Sequence, residues 1–477
     1  MRTFEPPPLR FLERQSCHPW LVVGVACSGA FIGQLDASIV QLALPALAQG
    51  FGAAVNEVSW VAIAYLLAFS CSLAVFGRVS EIFGRKLPYL IGFALFTVAS
   101  LLCGFATTLP ELVALRALQG VGGGLLGANS MTVLVTSISE DKRPRAIGWF
   151  TTAQAVGVSA GPIVGGFLLD GLGWQWIFWA AVPVGLAAFV MGWLVLPRTP
   201  ARARDRDETY DLGGAVLLVP ALGLGILALS QVSVWPLASP AMLASVGACI
   251  VFSALFLRRE PKARWPVVDV GLFHARDFKA GFVGVMSGYG LLYGMLFLMS
   301  FALVQGLDNS ARIAGLKLAI IPVMLGLIAP FGISLSQRFT ARRVGAAGMA
   351  LCLAALLGIL TIGFGPDRLV VRLVAAALFG AGLGLFLAPN SHATLGAATQ
   401  GHGASAGALV NLGRVLGSCI GVSAASSMLS WRLGPSAGPV HVDPAFVAAV
   451  ADSLLVLAVF AAVAVAASLA FRRSDRS

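Results

Sequence analysis

Apolar residues in this chain come in runs near twenty residues long, at 20–45, 57–77, 88–108, 111–137, 146–169, 174–196, 211–231, 237–257, 280–304, 311–335, 343–364, 368–389, 403–429 and 445–471. Runs of that length are what an α-helix needs to cross about 30 Å of hydrocarbon. The two-residue alternation of an outer-membrane barrel is absent. The pattern therefore predicts an all-α integral membrane protein with fourteen transmembrane helices, and an even number of crossings puts both tails on one side. Two polar linkers, 197–210 and 258–279, flank the seventh and eighth spans. The chain divides accordingly into a tail (1–19), a first six-helix bundle (20–196), a central segment (197–279) carrying two extra helices (211–257), a second six-helix bundle (280–471) and a closing tail (472–477). The second linker contains V-D-V-G-L-F-H-A-R-D-F, an amphipathic phrase expected to lie along the membrane surface.

Composition supports the same reading. The chain is 58% hydrophobic and only 11% charged, whereas a soluble domain carries about 25% charged residues. The first run continues well past signal-peptide length and lacks a small-residue cleavage site. The net charge of +11 does not point to nucleic acid, because its distribution follows the alternation of the loops. Of 32 Lys+Arg, only Arg312, Arg368 and Arg432 fall near the face opposite the tails, and only Arg116, Lys317, Arg372 and Arg414 fall inside spans. That bias places both termini in the cytoplasm and the protein in the cytoplasmic (inner) membrane. The seven cysteines are scattered without a C-x-x-C, so neither a disulfide framework nor a metal site is expected. No G-x-x-x-x-G-K-S/T loop occurs, which argues against ATP as the energy source.

The fifth run contains G-V-S-A-G-P-I-V-G-G, Gly157 to Gly166. Ala153, Gly157, Gly161 and Gly165 recur every four residues and form one smooth stripe, about 18 Å long, where a neighbouring backbone can come very close. Pro162 frees the carbonyl of Val158 and is expected to bend the helix at mid-depth. A packing helix of any polytopic protein could carry such a stripe. The two bundles also share a phrase: G-V-G-G-G-L-L-G-A-N-S from Gly120 to Ser130, and G-A-G-L-G-L-F-L-A-P-N-S from Gly380 to Ser391. Three glycines at the same spacing followed by Asn-Ser point to duplicated halves, a transporter plan in which substrate binds between them.

Further phrases are G-R-V-S-E-I-F-G-R-K (Gly77 to Lys86), L-R-A-L-Q-G-V-G-G-G (Leu115 to Gly124), L-D-A-S-I-V-Q-L-A-L-P-A (Leu35 to Ala46), G-W-Q-W-I-F-W-A-A-V-P-V-G in the sixth span, P-V-V-D-V-G-L-F-H-A-R-D-F (Pro266 to Phe278) and N-L-G-R-V-L-G (Asn411 to Gly417). Together with the Gly157–Gly166 stretch they resemble the major facilitator superfamily, and within it the fourteen-helix drug:proton antiporters. Glu81 stands where the loop motif usually has Asp, and Ile82 where a basic residue is common. Gln175 and Ala181 replace the Arg and Asn usual after the sixth-span tryptophan. The resemblance implies a proton-driven exporter, with Gly77, Glu81, Gly84, Arg85 and Lys86 as a cytoplasmic gate loop and Gly157, Gly161, Pro162, Gly165 and Gly166 as the antiporter-type helix.

Asp36 and Arg116 fall at similar depths in the first and fourth helices and could face each other. A charged group at that depth is costly unless paired or wetted. Asp36 is thus the candidate for the coupling proton and Arg116 its tuning partner; a static ion pair locking the two helices is the other reading. Asn411 and Arg414 are second-half candidates, with structural and functional roles equally open. Glu57, Glu111, Asp211 and Asp452 lie near helix ends, where capping suffices, and Lys317 can snorkel. The function expected is proton-driven export of a lipophilic or amphipathic compound, needing no cofactor beyond the proton gradient, with a periplasmic adaptor and outer-membrane channel as possible partners. Alternatives are export of one endogenous metabolite such as a siderophore or biosynthetic product, a polytopic membrane enzyme, disfavoured by outer loops poor in polar clusters, and a passive channel.

Overall fold

A computed structural model describes residues 5, 8–198, 211–263, 266–307, 309–362, 368–398, 403–434 and 444–471. The long helices are α1 (His18–Phe51), α2 (Val55–Phe83), α3 (Lys86–Cys103), α4 (Leu109–Thr136), α5 (Arg143–Leu172), α6 (Gln175–Val195, in two abutting segments), α7 (Leu212–Gln231), α8 (Pro240–Arg259), α9 (Arg276–Phe301, continued by a π-helical turn to Gly306), α10 (Ala311–Phe339), α11 (Ala341–Ile362), α12 (Leu369–Gly396), α13 (Gly403–Leu433) and α14 (Pro444–Ala470). Every apolar run is one helix, and among the described residues there is no strand. Thirteen of them are long and apolar enough to cross a membrane on composition alone. The remaining one, α4, carries Glu111, Arg116, Gln119 and Asn129 along its 28 residues and packs against α1, α2 and α3.

Local chemistry sets the helix ends. Thr108, Asp211, Ser239 and Ser310 each accept a hydrogen bond from a backbone N–H in the first turn of α4, α7, α8 and α10, as N-cap side chains do. Gly52 closes α1 in the left-handed region at φ 60°, which a side chain would disfavour. Glu57 returns a bond to the N–H of Ala54 at 3.0 Å, and Glu111 accepts from the N–H of Thr107 at 2.9 Å. These are the capping roles expected of helix-end acids. Asp452 instead pairs with Arg432, joining α14 to α13.

The two halves repeat one packing scheme. In the first, α1 lies on α4, α5 and α6, α4 lies on α2 and α3, and α3 on α6. In the second, α9 lies on α12, α13 and α14, α12 lies on α10 and α11, and α11 on α14. Contacts between halves obey the same two-fold relation: α5 meets α10, α2 meets α13, and α1 meets α9. The shared glycine phrase explains how this is achieved. A Cβ on Gly120 or Gly124 would strike α2, and one on Gly122 would strike α3; Gly380 and Gly384 abut α10, and Gly382 abuts α11. Alternate glycines thus let α4 and α12 each touch two neighbours at backbone distance, the close approach that small residues permit in membranes.

The extra helices α7 and α8 pack on each other, and α7 leans on both α2 and α13. At the end where α7 begins and α8 stops, Asp211 caps α7 through the Gly214 N–H at 3.0 Å and accepts from Arg259 at 2.8 Å. Although partial burial works against it, the Arg259 guanidinium and the Gly214 N–H hold the Asp211 carboxyl below its ordinary range. At the other end Ser427 donates to the Leu229 carbonyl at 2.8 Å, tying α13 to α7. The amphipathic linker phrase forms a short 3-10 turn, Val270–His274, capped by Asp269, and Phe273 stacks on Phe278 and Phe282 of α9.

The glycine scheme yields a paired test. Gly122→Ala places a methyl 2.6 Å from the Phe96 backbone nitrogen and should cost about 1–3 kcal/mol through overpacking. Gly24→Ala, whose methyl meets nothing within 4 Å, should be neutral or stabilising by a few tenths of a kcal/mol. Thermal denaturation in detergent reads both, and equal melting temperatures would refute the packing argument.

Candidate functional site

The polar centre of the first half lies inside α1–α4, where lipid and water are both excluded. Asp36 and Arg116 are 2% and 0% exposed. One guanidinium nitrogen of Arg116 donates to both carboxylate oxygens of Asp36, at 3.0 and 2.7 Å. The same nitrogen donates to the side-chain oxygen of Gln119, and Arg116 Nε donates to the Val61 carbonyl at 3.0 Å. Gln119 in turn donates to Asp36 Oδ1 at 2.9 Å and to Ser100 Oγ at 2.6 Å. The Tyr65 ring lies 4.2 Å from the guanidinium carbon, supplying an apolar face that still attracts a cation. The arrangement connects four helices through one carboxylate. Withdrawing two ions from water costs several kcal/mol each, and only a well-bonded pair recovers it.

The sequence-predicted pair is therefore brought together. Gln119, Ser100 and Tyr65 were not singled out by sequence reasoning. Gln119 had a readable signal: it lies three residues after Arg116, on the same helix face. Tyr65 and Ser100 belong to other helices and carried none.

Two residues before Asp36, half-buried Gln34 accepts a hydrogen bond from Tyr293 of α9 at 3.1 Å. This bond crosses from one half to the other beside the ion pair. The second-half candidates lie on α13, which faces the first half. Asn411 donates to the Gly127 carbonyl of α4 at 3.4 Å, a second link across the interface. Arg414 is half-buried and sits 5.8 Å from the Tyr289 ring centre.

The smooth stripe of α5 has two partners. Gly157, Gly161 and Gly165 press on α1 next to Phe31, Ser38 and Ile39, the turns that carry Asp36. Gly166 and Pro162 press on α10 of the other half: a Cβ on Gly166 would stand 2.6 Å from the Ala311 carbonyl, and Gly315 abuts the Pro162 carbonyl. The helix runs through Pro162 without ending. One turn further, Asp170 accepts from the N–H groups of Ala311 and Arg312 at 2.9 and 3.1 Å. A carboxylate on the first free N–H groups of α10 is the favourable end of its dipole. The halves are clasped at the end opposite the chain termini.

The gate-loop residues are distributed differently from the expectation of one short turn. Helix α2 continues through Gly77 to Phe83, so the turn itself is Gly84, at φ 95°, and Arg85. The side chain of Glu81 lies outside the described residues. Lys86 is 1% exposed and its ammonium donates to the Leu196 and Trp193 carbonyls at 2.6 and 3.2 Å, at the end of α6. Glu5 accepts from the N–H of Lys86 at 3.1 Å, capping α3. Lys86 thus serves to anchor α6. Among the described residues no cluster of His, Cys, Asp or Glu could hold a metal ion.

Comparison with known proteins follows the same lines. The riboflavin transporter RibZ of Clostridioides difficile is 29% identical over 81% of this chain and 83% of its own. The methylenomycin A resistance protein of Bacillus subtilis is 30% identical over 84% of this chain and 86% of its own. Among solved structures, the bacterial homologue of the human lysosomal transporter Spinster, inward-facing and unoccupied, superposes with a TM-score of 0.67 at 13% identity, covering 95% of this chain and 97% of that one. The Major Facilitator Superfamily profile matches residues 26–422. With two related six-helix bundles, glycine-packed α4 and α12, and relatives that match most of its length, the chain belongs to the major facilitator superfamily.

Proposed function

We propose that this protein is a proton-coupled antiporter exporting lipophilic or amphipathic compounds across the inner membrane by alternating access, with both termini in the cytoplasm. The observation that carries the reading is the Asp36–Arg116–Gln119 cluster, a carboxylate removed from water yet only two residues from Gln34, which bonds the other half. Such a carboxylate can change charge only when the structure admits a proton, and the change alters what Arg116 holds. In the proposed cycle, protonation releases Arg116 from Asp36, and the Gln34–Tyr293 link registers the shift at the interface where substrate binds. Half-buried Tyr289 and Arg414 and buried Tyr293, grouped near that interface, are the proposed substrate contacts. The Asp170 clasp on α10 would close the periplasmic side in this state and open in the other. Gly77, Glu81, Gly84, Arg85 and Lys86 are the proposed cytoplasmic gate, with Lys86 as its fixed point.

Drug export is supported by relatives named for resistance, among them the methylenomycin protein. A second reading, transport of one specific metabolite, is favoured by the relative named as a riboflavin transporter. A susceptibility panel in a pump-deficient host separates the two: resistance to several unrelated compounds supports the first, and resistance to none supports the second.

Asp36→Asn keeps the size of the side chain and removes its charge. In sealed vesicles it should lower efflux driven by an imposed pH difference to background, a loss of at least about tenfold, while the protein remains folded and exchanges substrate for substrate. Undiminished pH-driven efflux in this variant would end the coupling proposal. Topology is checked separately in a background lacking Cys17: Leu237→Cys, in the exposed turn between α7 and α8, should react with an impermeant maleimide in intact cells. Pro144→Cys, exposed at the other end, should react only after permeabilisation, and the reverse labelling would invert the orientation.

A further inference from the structure

The two-fold relation between the halves makes one difference between them informative. Helices α1–α4 hold the ion pair; their counterparts α9–α12 hold a cavity at the end opposite the chain termini. It opens to its surroundings at its mouth, and Leu303, Ile321, Ile359 and Leu373 contribute apolar walls. Two cations line it: Lys317 on α10 and Arg372 on α12.

In the first half the cation has an internal carboxylate. In the second, among the described residues, no acid lines the cavity. Lys317 donates to the Asn309 side-chain oxygen at 2.6 Å, a neutral acceptor. Among the described residues, one buried guanidinium nitrogen of Arg372 has no hydrogen-bond partner. A buried donor left unpaired between apolar walls is expensive, and its natural complement is an anionic oxygen. Lys317 thus lines the cavity together with a second cation while its ammonium reaches Asn309.

We propose that this cavity binds an amphipathic anion, its phosphate or carboxylate head held between Lys317 and Arg372 and its apolar body lying along Leu303, Ile321, Ile359 and Leu373. The guanidinium offers a planar fork suited to two oxygens, and the ammonium adds a point charge. The apolar walls exclude small hydrated anions, which have no surface to bury there. The site is separate from Asp36 and is occupied whether or not protons drive transport. Two sources carry this chemistry, an acidic phospholipid of the surrounding leaflet and a free amphiphile, and binding is measured for both.

The purified full-length protein is titrated with decanoate and with decyltrimethylammonium below their micelle concentrations. It is also placed in phosphatidylcholine nanodiscs doped with phosphatidylglycerol, where retained lipid is counted by native mass spectrometry. Wild-type protein should prefer the anion of either pair by at least about tenfold, and the K317Q/R372Q double variant should lose that preference while R372K keeps most of it. Retention of phosphatidylglycerol identifies lipid as the occupant, and decanoate binding without lipid retention identifies a free amphiphile. If the double variant does not fold, Leu373→Trp fills the cavity with both charges in place and should abolish binding of the decyl chain. Asp308 and Asp367, which lie outside the described residues, are tested by D308N and D367N, expected to leave anion binding unchanged. Equal binding of anion and cation, equal binding by the double variant, or anion binding that emerges only in D308N or D367N would overturn the proposal. None of these readouts uses transport, so the result is independent of whether Asp36→Asn abolishes coupling.

Discussion

A single carboxylate with no access to water governs this structure. Asp36 accepts from Arg116 and Gln119, and those donors are themselves committed to Val61 and Ser100. Four helices from different parts of the chain are therefore positioned by one charge and its counter-charge. Removing either partner strands the other, a change that costs about 3–5 kcal/mol in buried pairs. The same set of bonds that holds these helices together is the one on which the proposed proton switch would act.

Packing around that centre is constrained by the absence of a hydrophobic driving force between helices in lipid. Glycine takes over the task. On α5 the stripe of Gly157, Gly161 and Gly165 brings backbone against the turns of α1 that hold Asp36. A side chain at any of these three glycines would collide with the turns of α1 on either side of the carboxylate. The smooth face of α5 and the ion pair are thus two parts of one device, and Pro162 and Gly166 extend it to α10 in the other half.

The helices were legible because apolar length in a membrane protein is nearly a direct readout of the fold. All fourteen expected runs correspond to helices, with ends displaced by a few residues, as where α2 spans Val55–Phe83 against an expected 57–77. Asp36 and Arg116 stood out because charge is rare at such depth. Gln34 and Tyr293 did not, since neither is charged and they are separated by 259 positions. The gate phrase misled on geometry: its glycines suggest a turn, yet Gly77 sits within α2 because helical backbone hydrogen bonding outweighs the modest penalty of one glycine. The difference between the halves at α10 and α12 was hidden too, because a lysine and an arginine near helix starts look like ordinary interfacial residues until their surroundings are known.

The extra pair α7 and α8 breaks the symmetry of the assembly in a specific way. Two seams divide the bundles, one along α2 and α13 and the other along α5 and α10, and α7 rests on the first alone. That flank is plastered over by two additional helices, whereas neither of them packs on the opposite flank. For a molecule dissolved among the lipid tails the assembly has a front and a back, and α7 and α8 stand over only one of them.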